Sequence, residues 1–112
     1  MIGHNGRYIL VDKVPQIEPD LIKWAMWFED INNRFVARDQ IADSINTGEN
    51  IRVSTVFLGL DYSFDASKAN TVPILFETMI FGGNHDQYCD RYATWTQSKK
   101  GHKRAVSLVR LF

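Results

Sequence analysis

The segment from Ile51 to Tyr62 carries apolar side chains on both faces of an extended chain, and it limits the fold more than any other. Ile51, Val53, Thr55 and Phe57 point one way, and Val56, Leu58, Leu60 and Tyr62 point the other. A strand with one apolar face sits at a surface, whereas a strand apolar on both is central and covered on both sides. Ile74 to Phe81 repeats the pattern, with Ile74, Phe76 and Ile80 opposite Leu75, Met79 and Phe81. The connection from Ser63 to Pro73 holds Asp65, Ser67, Lys68 and Asn70 and reads as a solvated loop.

The remaining elements are placed around these two strands. Residues 1–6 read as a flexible tail and 7–112 as a single domain, the expected size for one core. Tyr8 to Val11 is a strand, and Asp12-Lys13 turns it into a short strand through Ile17 that Pro15 confines to an edge. A helix starts near Pro19, with Glu18 and Asp20 at its positive end. Leu21, Trp24, Ala25 and Phe28 form its buried stripe, Met26 and Trp27 widen it, and Asn32-Asn33 ends it. Arg34 to Ile41 is a further strand candidate and 42–50 a loop. The spacing of Trp95, Lys99, His102, Val106 and Val109 predicts one face of a final helix beginning at Asp86 or Asp90.

The predicted fold class is therefore α+β: an antiparallel sheet of four or five strands packed by two helices, in the order β(β)αβββα. Two helices on one face leave the other to a second subunit or to loops, which predicts a homo-oligomer. No apolar run reaches the ~20 residues of a membrane span. The N-terminal residues lack the layout of a secretory signal. A single cysteine, Cys89, forms no internal disulfide and suits a reducing cytosol. A cytoplasmic protein is expected, with no membrane contact and no cofactor.

Charge is unevenly spread. Among 13 basic and 13 acidic residues, Arg91, Lys99, Lys100, Lys103, Arg104 and Arg110 fall in the last stretch, which holds no acid. Lys99, Lys100, Lys103 and Arg104 lie close together, with Tyr92 and Trp95 just before them. Cations beside aromatics bind phosphate and stack bases, which makes these six the candidate ligand-binding residues. The competing readings are a solvated helix face and pairing with acids around Glu18, Asp20, Glu29 and Asp30.

Other motifs are weaker. Gly83-Asn84-His85-Asp86 spells the loop by which metallophosphoesterases present Asn to a metal and His to phosphate. The other ligands of a two-metal site are missing upstream. His85, Asp86, Cys89, Asp90 and His102 include one partial pair of N/S ligands, where structural zinc sites use two pairs. The alternative is a helix cap by Asp86 or Asp90, with His102 against Trp95. Cys89 reads as a half-buried structural thiol. Trp27 and Phe64 fit the core pattern least and read as exposed anchors. No residue is assigned a catalytic or metal-binding role.

Trp24-Ala25-Met26-Trp27-Phe28-Glu29, Arg52 to Asp61, Leu75 to Phe81, and Arg91-Tyr92-Ala93-Thr94-Trp95 followed by Gly101-His102 resemble a group of small proteins encoded in tailed-phage and prophage genomes. The resemblance covers most of residues 8–109 and brings no activity or site residues with it. It implies a phage-encoded accessory protein in the bacterial cytoplasm. The expected function is a non-enzymatic binder that captures or blocks a host component, such as part of a bacterial defence system. Its partner would be anionic (a nucleotide signal or a nucleic-acid-containing complex) or an acidic host protein. The alternatives are a metal-dependent phosphoesterase and a structural or regulatory phage protein.

Overall fold

In the computed structural model of the chain, residues 6–42, 50–63 and 72–111 are described. Most of the expected tail, the 42–50 loop, the connection after Ser63 and Phe64 lie outside them. The strands are β1 (Tyr8–Val11), β2 (Val14–Ile17), β3 (Phe35–Ala42), β4 (Asn50–Phe57), β5 (Phe76–Phe81) and β6 (Cys89–Tyr92). The helices are α1 (Leu21–Glu29) and α2 (Trp95–Leu111). β1 and β2 form a two-stranded sheet, and β3-β4-β5-β6 form a four-stranded antiparallel sheet in sequence order. The α+β class stands, with order ββαββββα.

The hairpin of β1 and β2 closes through Asp12 and Lys13, both at positive φ, the geometry of a turn whose twist matches the flanking strands. Asp20 caps α1: its Oδ1 accepts from the backbone N–H groups of Ile22 and Lys23, at 2.9 and 3.1 Å. Pro19 thus precedes the helix rather than opening it. α1 ends at Glu29, and a 3-10 turn from Ile31 to Asn33 follows, capped by Asp30. β4 stops at Phe57, earlier than Tyr62, because Gly59 adopts φ +76° and brings its backbone under Phe28. A Cβ there would stand 2.8 Å from the Phe28 ring.

α2 lies across one face of the four-stranded sheet. That face buries Ile51, Val53, Thr55 and Phe57 from β4, Phe76, Thr78 and Ile80 from β5, and Tyr92 from β6. Phe57 tilts against Phe76 with ring centroids 5.2 Å apart, and Trp27 of α1 meets Phe57 edge-on at 5.7 Å.

Three expectations about helices are corrected. The final helix begins at Trp95, not at Asp86 or Asp90, because Cys89–Tyr92 pairs with β5 as a strand. Thr94 and Gln97 start it: Thr94 Oγ1 accepts from Gln97 N–H while Gln97 Oε1 accepts from Thr94 N–H, the reciprocal arrangement of a capping box. The buried face of α2 is Ser98, Gly101, His102, Ala105 and Val109, whereas Lys99 is exposed. Small side chains let the helix sit close to the sheet, so the buried stripe follows size rather than hydropathy. In α1, Leu21 and Ala25 are exposed, and Trp24, Trp27 and Phe28 face inward. Trp27 is therefore a packing residue, not an exposed anchor.

Candidate functional site

β6 and the first turns of α2 frame an open cleft of about 470 Å³, lined by Ile74, Asp90, Arg91, Tyr92, Ala93, Gln97, Lys100 and Arg104. The volume falls within the ~300–1,000 Å³ typical of small-ligand sites. Two features of the sequence build it. Strand β6 turns into α2 within two residues, so Arg91 and Tyr92 stand beside the helix. Lys100 and Arg104 are four residues apart and share one helix face, so both are brought to this cleft.

Of the six expected binding residues, the structure brings Tyr92, Lys100 and Arg104 together in the cleft. Lys99 and Lys103 are exposed but do not line it. Trp95 packs edge-on against Phe76, with Lys13 over its ring at 5.5 Å. Arg91 and Gln97 join the site without having been anticipated; the capping-box spacing of Thr94 and Gln97 was the signal for Gln97, and Arg91 had none.

The electrostatics of the cleft are positive. Arg104 lies 3.8 Å from Asp90, an exposed pair of small energetic weight. Arg91 Nε contacts Glu77 Oε2 at 2.9 Å, and this bond chiefly holds the Arg91 guanidinium above its ordinary pKa. Lys100 makes no ion pair among the described residues. Three of the four acids expected to neutralise the basic helix are engaged locally instead: Asp20 and Asp30 cap helical turns, and Glu18 Oε2 accepts from Asp20 N–H at 3.0 Å. Burial pushes the Tyr92 phenol up, so it stays protonated beside the cleft.

A second constellation lies under α2. Thr78 Oγ1 and Thr55 Oγ1 are 2.5 Å apart, Thr55 Oγ1 is 2.7 Å from His102 Nδ1, and His102 Nε2 is 2.7 Å from Asp39 Oδ2. With Nε2 donating to Asp39, a neutral ring accepts from Thr55 at Nδ1, and Thr55 accepts from Thr78. Carboxylate, imidazole and hydroxyl in this order match a nucleophile-activating chain. Thr55 and Thr78 are both 0% exposed, however, so no substrate reaches either hydroxyl. The chain is a buried structural network. The sequence signal for it was two threonines at matched positions of apolar strands, paired directly as Thr55↔Thr78. His102 bonds there rather than packing on Trp95.

The remaining motifs resolve into local structure. Gly83–His85 forms a 3-10 turn between β5 and β6, and Asp86 Oδ1 accepts from Gly82 N–H at 2.7 Å. Asp90 belongs to β6. No group of three or more His, Cys, Asp or Glu side chains placed to hold a metal occurs among the described residues. Cys89 is exposed, not half-buried, with Sγ 3.4 Å from Glu77 Oε2. Desolvation of the sulfur, then the Glu77 carboxylate, raises its pKa and keeps it a thiol. Among the described residues, no helix is long and apolar enough to cross a membrane.

No family model matches this chain, and neither the curated proteins nor the solved structures gave a match.

Proposed function

We propose that this chain is a non-enzymatic capture protein that holds a phosphate-bearing partner in the cleft between β6 and α2. The observation that carries this reading is the convergence of Lys100 and Arg104 on one ligand-sized cleft also lined by Arg91, Tyr92 and Gln97. Lys100, with no ion pair among the described residues, and Arg104, loosely paired with Asp90, leave the cleft suited to an anion, while the Arg91 guanidinium is held by Glu77. Gln97 adds a side-chain amide, while the Tyr92 ring lies buried against Gly101. The resemblance to phage proteins supports a host component as the partner, with a nucleotide signal and a nucleic-acid-containing defence complex sharing the required phosphate chemistry. A cytoplasmic site of action belongs to the same reading.

The test is calorimetric titration with mono- and dinucleotides, beside native mass spectrometry of protein purified at low salt. Lys100→Glu/Arg104→Glu is expected to weaken binding at least about tenfold, since each charged contact contributes on the order of 1 kcal/mol or more. Both residues are exposed, so the melting temperature should hold within about 2 °C. Unaltered affinity in the double variant would sink the proposal.

Self-association is part of the same proposal. The hairpin and α1 leave Val14, Ile17, Leu21, Ile22 and Met26 exposed, Ile22 at 66% and Met26 at 67%. None of the nine residues of α1 is fully buried. Large apolar side chains left exposed on two neighbouring elements suit an interface. Native mass spectrometry is expected to show a homo-oligomer that Ile22→Glu/Met26→Glu converts to monomer. A monomeric mass for the unaltered chain across the micromolar range rules it out.

A further inference from the structure

The four-stranded sheet has a second face, turned away from α2. Strand register lays it out in rows. Phe35, Val56, Glu77 and Arg91 stand side by side across the sheet; Arg38, Ser54, Met79 and Cys89 form the next row; Gln40, Arg52 and Phe81 form the third. Their neighbours in sequence, Val53, Thr55, Thr78 and Tyr92, are buried under α2, so these positions point the other way. Arg38, Gln40, Arg52, Cys89 and Arg91 are exposed, and the apolar residues among them are half-buried.

Two guanidinium groups on this face stand over aromatic rings. Arg52 Cζ is 4.4 Å from the Phe81 ring centroid and Arg38 Cζ is 4.4 Å from that of Phe35. Neither makes an ion pair among the described residues. The one acid on the face among the described residues, Glu77, is already held by Arg91 at 2.9 Å. The surface therefore offers two planar, pre-positioned, uncompensated cations above an apolar floor of Val56 and Met79.

Size and charge decide what fits. Three rows two residues apart span about 14 Å along the strands, and four strands about 14 Å across. That footprint is a few hundred Å² at most, well under the ~800 Å² per partner of a stable protein interface. A second copy on the same patch would set Arg38 and Arg52 against themselves, because a two-fold interface repeats one surface. A run of about two to three nucleotides matches the area, and arginine planes and aromatic rings on an open sheet are groups on which unpaired bases stack.

We propose that this face binds a short single-stranded nucleic acid segment, with bases stacked on the Arg52–Phe81 and Arg38–Phe35 pairs and phosphates held by the same arginines. The proposal does not rest on the cleft, whose Lys100 and Arg104 belong to α2 on the other side of the sheet.

The test is fluorescence anisotropy of labelled short oligo(U) and oligo(dT) at about 50 mM salt, with a duplex of equal length and polyglutamate as comparators. Single strands are expected to bind with Kd on the order of 10–100 µM, weakening with salt at a log–log slope of roughly −1.5 for two neutralised phosphates. Arg38→Ala/Arg52→Ala should cost at least tenfold at unchanged melting temperature, and Phe81→Leu a few-fold. Lys23→Gln, an exposed lysine of α1, should leave binding within about twofold. Absence of single-strand binding at 100 µM, equal affinity for duplex or polyglutamate, or unchanged affinity in either sheet-face variant overturns the proposal. A comparable loss with Lys100→Gln/Arg104→Gln places the contact in the cleft and overturns it as well.

Discussion

Gly101→Ala is expected to destabilise the protein by about 2–3 kcal/mol, although alanine is the better helix former by about 1 kcal/mol. Gly101 is fully inside the α2–sheet contact, and a Cβ there would fall on the Tyr92 ring and hydroxyl. Neither side can yield. α2 is held down by Ser98, Ala105 and Val109, and Tyr92 belongs to β6 and packs in the cluster of Phe57, Leu75 and Phe76. One of two things must happen: the helix lifts from the sheet, or Tyr92 leaves its place and its burial is lost. Both cost more than the propensity gained. For a domain of this length the loss corresponds to a fall of about 10 °C in melting temperature. Tyr92→Leu in the Gly101→Ala background should regain at least about 1 kcal/mol, because the shorter side chain vacates the contested space. A double-mutant cycle showing no coupling, or a single variant as stable as the original, would mean that the helix and β6 do not meet as described. Because Tyr92 also lines the cleft, the single variant should weaken ligand binding too, and the rescue should restore stability without restoring the ring.

Much of the architecture is legible in the sequence wherever one local rule acts alone. β4 and β5 announce themselves because apolar residues fill both faces, and Asp20 marks the start of α1, although the helix ends at Glu29, ahead of Asn32-Asn33. The hairpin turn at Asp12-Lys13 follows from two short apolar runs flanking two polar residues. The misreadings arise where tertiary packing decides. Helical spacing from Trp95 to Val109 suggested a face that includes Lys99, yet the helix rests on Ser98, Gly101 and Ala105, since close approach to the sheet selects small side chains. Cys89–Tyr92 has too few apolar residues to read as a strand; it becomes one because the edge of β5 offers hydrogen bonds, as in Leu75 N–H to Tyr92 O at 3.0 Å. Of the candidate site, the cations were visible and their grouping was not. Lys100 and Arg104 separate from Lys99 and Lys103 only once the helix is oriented, and Arg91 joins them only once residue 91 is on a strand. The two arginine–ring pairs of the open sheet face depend on register and local side-chain packing, and leave no trace in composition.

His102→Ala should have the largest effect of any single change, about 3 kcal/mol. The imidazole is 5% exposed and takes part in two short hydrogen bonds, so its removal opens a cavity and strands the Thr55 hydroxyl proton where water has no access. Thr55→Val should cost less, about 1.5–2 kcal/mol, because it keeps the volume but leaves His102 Nδ1 without its partner. Asp39→Asn should cost least, roughly 0.5–1 kcal/mol, since the Asp39 side chain is 50% exposed and water replaces part of what the carboxylate gave. The combined Thr55→Val/Thr78→Val/His102→Leu variant should recover much of the loss, because a fully apolar replacement leaves no buried polar group unsatisfied. Equilibrium unfolding in urea measures the whole series. The ranking discriminates between two physical accounts. If the network acts by satisfying buried polar atoms, cost follows burial, and His102 leads with Asp39 last. If a charge pair between His102 and Asp39 dominates, Asp39→Asn rises to the top and the apolar triple variant stays unstable. The first ranking would make the network a clamp that sets the height and rotation of α2 on the sheet. Lys100 and Arg104 ride on that helix, so His102→Ala should also blunt the cleft's affinity, through a loosened helix rather than a lost contact.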